Sequence, residues 1–308
     1  MSKVRLIFLG TGGSIPSKKR ALPAIAVKYL NTAILLDCGE GCQYRIFEAG
    51  LGLNKVKTIL VTHMHGDHVL GLPGILQTYA FMGRSESLVI IGPRGLKDFV
   101  ESVLSLVPCA LKYKIDVIEL DKKHYDVIYE DKTYKISAVE AEHTIKNYAY
   151  LITIKEYYRK IRDDVIAELG LKMSPELYRR IIRGEVGFIE ACGKRVPMYQ
   201  LLKIKSKFKI VYTGDTRPCR AIVELARGAD ILIHDATFSC ELNEKARATG
   251  HSTAAEAALV AKEARVKELV LFHISARYSN ASKLLVEASA IFPETILPND
   301  MDEIERDV

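Results

Sequence analysis

Tryptophan is absent from this 308-residue chain, glutamine occurs three times and asparagine six. That scarcity, beside plentiful lysine, glutamate and isoleucine, is a bias of the kind found in thermophiles. No apolar run approaches the roughly 18 residues needed to span a bilayer, so a membrane partner is not expected. Only Leu6 to Leu9 separate the opening Met-Ser-Lys-Val-Arg from Gly10, too short a stretch for a secretory leader. The six cysteines (Cys38, Cys42, Cys109, Cys192, Cys219 and Cys240) are scattered and form no C-x-x-C pair. Without a secretion signal they read as free thiols in a reducing cytosol, which makes a cytoplasmic location the expectation. Internal repeats and low-complexity tracts are missing too, which excludes solenoids and disordered linkers.

What is present suits a folded core. Hydrophobic residues make up 48% of the chain, and the length fits one large domain with insertions or two modest ones. A net charge of +6 permits an anionic partner without demanding one. Short β-branched runs alternate with helical stretches, the pattern of a layered α/β or α+β domain. Strands are expected at 4–9, 24–29, 32–37, 58–62, 88–91, 133–139, 148–154, 209–213, 231–234 and 268–272. Helices are expected at 41–49, 96–104, 220–226, 253–263 and 281–291.

One region breaks the alternation. Residues 155–209 hold fourteen Lys and Arg against seven Asp and Glu, a surplus larger than that of the whole chain. An insertion carrying all the positive charge is a candidate polyanion-binding appendage. The alternative is a solvated helical excursion.

The sharpest signal is Thr62-His63-Met64-His65-Gly66-Asp67-His68, which holds three of the eight histidines. His63 and His65 alternate in an extended segment and can face one side. Gly66 then lets the chain turn, so Asp67 and His68 can face a second ion about 3.5 Å away. Three further ligand types follow expected strands: His143 in Ala-Glu-His-Thr, Asp215 in Tyr-Thr-Gly-Asp-Thr, and His273 after Leu-Val-Leu-Phe. Strand ends on one sheet edge converge in space, where layered folds build their sites.

The series H-x-H-x-D-H … H … D … H is similar to that of the metallo-β-lactamase superfamily. Three more segments are selective within it: Ile233-His234-Asp235-Ala236-Thr237-Phe238, His251-Ser252-Thr253, and His273-Ile274-Ser275-Ala276-Arg277-Tyr278. Together with Gly10-Thr11-Gly12-Gly13 they resemble ribonuclease Z, over essentially the whole chain. The resemblance implies a single four-layer αβ/βα sandwich over residues 1–308, with residues 155–209 as a protruding tRNA-gripping arm. It also implies two zinc ions. His63, His65 and His143 would hold one, Asp67, His68 and His273 the other, and Asp215 would bridge them. The implied activity is endonucleolytic removal of the 3′ trailer from precursor tRNA, leaving a 3′-hydroxyl. Water between two zinc ions is acidified from ~15.7 to roughly 7. Asp67 would handle the nucleophile's proton, and His251, supported by Asp235, would protonate the departing ribose oxygen. The alternative is that His251 caps its helix and Asp235 orients a ligand.

By the same resemblance Pro16-Ser17-Lys18-Lys19-Arg20-Ala21 surrounds the RNA 3′ end, with Lys18 and Arg20 on phosphates. Arg277 faces a phosphate or forms a structural salt bridge. Arm contacts would come from Arg159, Lys160, Arg162, Arg179, Arg180, Arg183, Lys194 and Arg195, while Tyr157, Tyr158 and Tyr178 stack or pack. A homodimer is implied as well. The chain departs from the family pattern at Ala21, where asparagine is usual, and at Asp235, where many members carry glutamate. Its Met173-Ser174-Pro175-Glu176 also lacks the Gly-Pro common in bacterial arms. The competing readings are a broader phosphodiesterase or ribonuclease on the same metals, a non-catalytic RNA-binding relative, and a thioester or lactam hydrolase.

Overall fold

The structure, a computed structural model, describes residues 2–308 apart from 53, 184 and 192, and omits the side chains of 158, 159, 205 and 206. Expectations for Cys192, Tyr158 and Arg159 therefore lie outside the described residues. The other five cysteines are free thiols.

The large sheets have seven strands each. The first runs in the spatial order Glu303–Asp307, Lys3–Gly10, Ala24–Tyr29, Thr32–Leu36, Val56–Leu60, Leu88–Pro93, Ile115–Leu120. The second runs Thr295–Ile296, Glu268–Phe272, Ile231–Asp235, Leu202–Tyr212, Asn147–Ile161, Tyr134–Ala141, His124–Glu130. Strands buried on both faces need apolar side chains at nearly every position, which is why they read as unbroken runs rather than alternations. In Glu268–Phe272, Val270 and Phe272 enter the core between the sheets while Leu269 and Leu271 face the outer helices. Phe8, Ile25, Leu60, Tyr150, Ile210 and Ile233 join that central core.

Helices cover both outer faces. Cys42–Glu48, Leu72–Phe81 and Leu96–Leu106 pack on the first sheet. Arg220–Leu225, Ala254–Ala264 and Ser282–Ser289 pack on the second. The buried side of Ala254–Ala264 is nearly all alanine, so its backbone can approach the sheet closely. Its start is fixed by a capping box in which Thr253 and Glu256 satisfy each other's backbone N–H groups. This is the expected four-layer αβ/βα sandwich.

The 155–209 segment is not a purely helical excursion. The strands Asn147–Ile161 and Leu202–Tyr212 run several residues further than expected and stay paired as far as Ile161 and Leu202. Beyond them lie helices Asp163–Glu168 and Pro175–Arg183 and the hairpin Phe188–Ala191/Lys194–Pro197. Ile161, Ile181, Ile189, Val196, Met198 and Leu201 form a separate apolar cluster. Among the described residues no helix is long and apolar enough to cross a membrane.

Candidate metal centre

Parallel pairing brings the carboxyl ends of Thr32–Leu36, Val56–Leu60, Leu202–Tyr212, Ile231–Asp235 and Glu268–Phe272 to one edge, where α/β sheets place their sites. Tyr148 N–H donates to the Thr62 carbonyl and ties the two sheets together there. Each strand delivers a polar residue just past its apolar run. His65 caps a one-turn helix, Gly66–Val69, so the turn expected at Gly66 is a helix start that presents Asp67 and His68.

The seven expected ligands converge as two groups that share Asp215. In the first, His65 Nδ1 lies 3.0 Å from His63 Nε2 and 3.3 Å from His143 Nε2. Asp215 Oδ2 is 3.6 Å from His63 Nε2 and 3.9 Å from His143 Nε2. In the second, Asp215 Oδ1 is 3.3 Å from both His68 Nε2 and His273 Nε2. Asp67 Oδ2 closes that group at 3.5 Å from His68 and 3.3 Å from His273. Each Asp215 oxygen thus serves a different group, as only a carboxylate can.

Both groups can hold a metal ion. His68 Nε2 and Asp215 Oδ1 are buried with no hydrogen-bond partner, a costly arrangement unless a cation takes them up. Burial first, then neighbouring imidazoles, depresses the proton affinity of His63, and burial does the same for His65 and His143. Their lone pairs are therefore free for a metal at neutral pH. Burial would raise the Asp215 carboxyl, but His273 and His68 outweigh it and hold it well below the usual range. Asp67 is likewise held ionised by His273 and His68 against its burial.

A second set of contacts orients the ligands, and here the sequence reading missed residues. Asp37, fully buried, accepts from Thr62 N–H at 2.7 Å and Tyr212 hydroxyl at 2.6 Å, and its Oδ2 lies 2.7 Å from His68 Nδ1. His143 Nδ1 donates to the Gly250 carbonyl at 2.7 Å. Thr237 Oγ1 sits 2.9 Å from His273 Nδ1. His273 itself takes a left-handed φ of 60°, and a Cβ on Gly13 would come within 2.3 Å of its ring. Glycine at 13 is therefore a packing requirement.

Asp235 and His251 lie beside this cluster. Asp235 Oδ2 is 2.8 Å from His251 Nδ1 and accepts from Thr216 N–H at 3.0 Å, while Oδ1 accepts from Thr237 N–H and hydroxyl. Both Asp235 oxygens are thus engaged in hydrogen bonds, and Asp215, Asp235, His251 and His273 also form a third group with ligand atoms close enough to hold a metal ion. Burial opposes charge on His251, but Asp235 and then Asp215 outweigh it and lift its pKa to about 9. His251, His65, Asp67, His143 and Asp215 line one cavity of about 490 Å³.

A family model described as Anti-Pycsar protein Apyc1 matches residues 4–182, and one described as Beta-lactamase superfamily domain matches residues 199–274. The first ends inside the 155–209 segment and leaves out Asp215, Asp235, His251 and His273. Curated relatives run the whole length. A ribonuclease Z of Ignicoccus hospitalis is 40% identical over 305 residues, 99% of each chain. One of Saccharolobus islandicus is 41% identical over 302 residues, 98% of this chain and 99% of that one. The chain belongs to the ribonuclease Z family. Among solved structures, the human tRNase Z short form superposes with a TM-score of 0.70 at 26% identity, covering 97% of this chain and 98% of that one. The long-form RNase Z from yeast, at 22% identity and a TM-score of 0.70, agrees in fold.

The residues expected to meet RNA fare unevenly. Arg20 is buried, and its guanidinium donates to Thr11 Oγ1, the Pro298 carbonyl at 2.7 Å and Asn299 Oδ1 at 3.4 Å. It fastens the 298–300 segment to its own loop, which replaces the expected phosphate contact. Lys18 is exposed. Arg277 is exposed and lies 4.9 Å over the Phe238 ring, whose centroid is 6.0 Å from that of His251. It is thus stacked on an aromatic ring beside His251, and among the described residues it forms no salt bridge. Within the 155–209 segment Lys160, Arg179, Arg180 and Lys194 are exposed. Arg162 pairs with Asp164 at 2.7 Å, Arg183 with Glu185 at 3.8 Å, and Arg195 stacks on Phe188. Tyr178 is exposed, whereas Tyr157 is half-buried against Lys155.

Proposed function

We propose that this chain is a zinc-dependent endoribonuclease that removes the 3′ trailer from precursor tRNA, working in the cytoplasm as a homodimer. The observation that carries the reading is Asp215, its two oxygens facing two separate ligand groups beside the His251–Asp235 pair. The donors are imidazole and carboxylate with no thiolate, a set suited to hydrolytic zinc. Zinc bound tetrahedrally at ~2.0–2.1 Å spaces its ligand atoms by about 3.3 Å, and the separations in both groups cluster around that value. His63, His65 and His143 would hold one ion, Asp67, His68 and His273 the other, with Asp215 common to both. When bound, the ions would acidify water and withdraw charge from the scissile phosphate.

The chain's own groups supply the rest. His251 Nδ1–H is held by Asp235, which fixes the ring and keeps the imidazole protonated at neutral pH. The proton on the other ring nitrogen, Nε2, passes to the ribose 3′-oxygen as its bond to phosphorus breaks, so the mature tRNA leaves with a 3′-hydroxyl. Asp67, fixed by the Ser14 N–H at 2.7 Å, is placed to accept a proton from the attacking water. Arg277 and Lys18 at the rim would meet backbone phosphates, and the exposed cations of residues 155–209 would grip the body of the tRNA. The exposed apolar residues Tyr44, Leu70, Phe81 and Met82 on the helical layer beside the cavity support a subunit interface.

The test is incubation of purified protein with a 3′-extended precursor tRNA, with and without chelator, mapping the cut at nucleotide resolution. A mature 3′-hydroxyl end, lost with chelator and restored by zinc, is the expected result. Turnover of a simple phosphodiester without any cut in the tRNA would keep the metal centre and overturn the substrate.

A further inference from the structure

The strand Asn147–Ile161 begins next to the metal centre, where the two sheets meet. Its backbone ladder to Leu202–Tyr212 ends at the pair Tyr150 and Tyr212, short of the residues that lead to His143 and Asp215. Other bonds take over there. Tyr148 N–H turns to the first sheet and donates to the Thr62 carbonyl at 2.9 Å, while Asn147 Nδ2 donates to the Thr213 carbonyl at 2.9 Å. On the far side of the same turn, the Glu142 carbonyl accepts from Arg217 N–H at 2.8 Å. The residues on either side of His143 are thus bonded to the residues on either side of Asp215, and Asn147 supplies one of the two ties.

Asn147 is fully buried, and its Oδ1 has no hydrogen-bond partner among the described residues. A buried amide with an unmet acceptor weakens a fold where an apolar side chain of similar size would not. Stability alone therefore does not account for asparagine at this position. Its contacts do. A Cβ on Gly214, which holds a left-handed φ of 59°, would come within 2.7 Å of both Asn147 Oδ1 and Thr62 Cβ. Three segments are in contact at this one point. Thr62 precedes His63, Gly214 precedes Asp215, and Asn147 closes the short turn that carries His143. In a close-packed interior, a change at such a point shifts what surrounds it. Asp67, His68 and His273 are held elsewhere, by Ser14, Asp37 and Thr237.

We propose that Asn147 is a positioning residue for one ion of the pair, setting His143 at its distance from His63 and Asp215. The proposal rests on the two-ion reading of the centre and is independent of the substrate. Loss of the amide frees one end of the turn that carries His143. The Asp215 segment keeps its other bonds, Thr213 N–H to the Ile233 carbonyl and Thr216 N–H to Asp235. The effect therefore falls on the group of His63, His65 and His143, and the group of Asp67, His68 and His273 is spared.

The experiment loads zinc into metal-free wild type, Asn147→Ala and Tyr134→Phe at buffered free-zinc levels. Anomalous diffraction at the zinc edge then gives the occupancy of each group. Tyr134→Phe is the control for a lost bond between the sheets. The Tyr134 hydroxyl meets Thr32 at 3.2 Å, at the start of strands whose far ends reach the site. Thermal unfolding of the metal-free forms checks the fold, and Asn147→Ser, too short to reach Thr213, serves should the alanine variant not fold. The His63, His65 and His143 group of the Asn147 variant is expected to need about 10–100-fold more free zinc to half-fill. Its other group, and both groups of Tyr134→Phe, should fill as in the wild type. Wild-type filling of the first group in the Asn147 variant, an equal loss at both groups, or a matching loss in Tyr134→Phe would overturn the proposal. A wild type that leaves the first group empty at every zinc level would overturn the two-ion reading as well, so the wild type alone tells the two failures apart.

Discussion

The metal centre and the 155–209 segment use charge in opposite ways. At the centre the ligand side chains are buried or nearly so, and His63, His68, His143 and His273 each have the far ring nitrogen held by a neighbour: Thr62, Asp37, Gly250 and Thr237. Position there is dictated by strand ends in a close-packed sandwich. In the 155–209 segment most of the described basic side chains are exposed, some in local pairs with Asp164 or Glu185, over a small apolar cluster of their own. Hydrolysis needs fixed geometry, whereas attraction of a polyanion needs charge in roughly the right place. The two regions should therefore fail differently when damaged.

Asp215→Ala should break the contrast most severely. Activity on RNA and on simple diesters should fall to background, with metal content measured by mass spectrometry dropping too. His251→Ala should lower kcat by about 10²–10⁴-fold, the range for a lost general acid, while both ions stay bound. The imidazolium is lost as pH rises through its raised pKa of about 9. Asp235→Asn should accordingly move the alkaline fall of the pH–rate profile down towards the ordinary imidazole value of about 6.5. Asp37→Asn, which disturbs the contacts that orient His68 without removing a ligand, should cost about 10–100-fold in metal affinity or activity, read by metal titration. Arg179→Gln/Arg180→Gln/Arg183→Gln should leave kcat in place but raise KM for precursor tRNA, with a salt slope shallower by about two to three. Smallest of all, Thr253→Ala removes a helix cap and should cost about 1 kcal/mol in thermal unfolding, with metal content unchanged.

The centre was more legible in the sequence than its surroundings for a physical reason. His63 to His68 sit in one heptapeptide, and His143, Asp215 and His273 each follow an apolar run, so local pattern alone exposes them. Asp37 carries the same mark, since it follows Thr32–Leu36, but it binds an imidazole instead of facing the cavity, and no ligand spacing singles it out. Tyr212 and Thr237 were hidden likewise, because their partners are distant in the chain. Arg20 was misread for the converse reason. Its neighbours Lys18 and Lys19 suggest a solvated basic loop, yet Pro298 and Asn299 arrive from the far end of the chain and bury it. The strands Ile115–Leu120, His124–Glu130 and Glu303–Asp307 were not expected either. They lie at or near sheet edges and carry charged side chains on faces open to solvent, which dilutes the apolar signal.

The most direct test of the shared-carboxylate centre is anomalous diffraction at the zinc edge from crystals grown with zinc. Two peaks flanking Asp215 are expected, one against His63, His65 and His143, the other against Asp67, His68 and His273. A single peak at full occupancy, or peaks away from Asp215, would contradict the account.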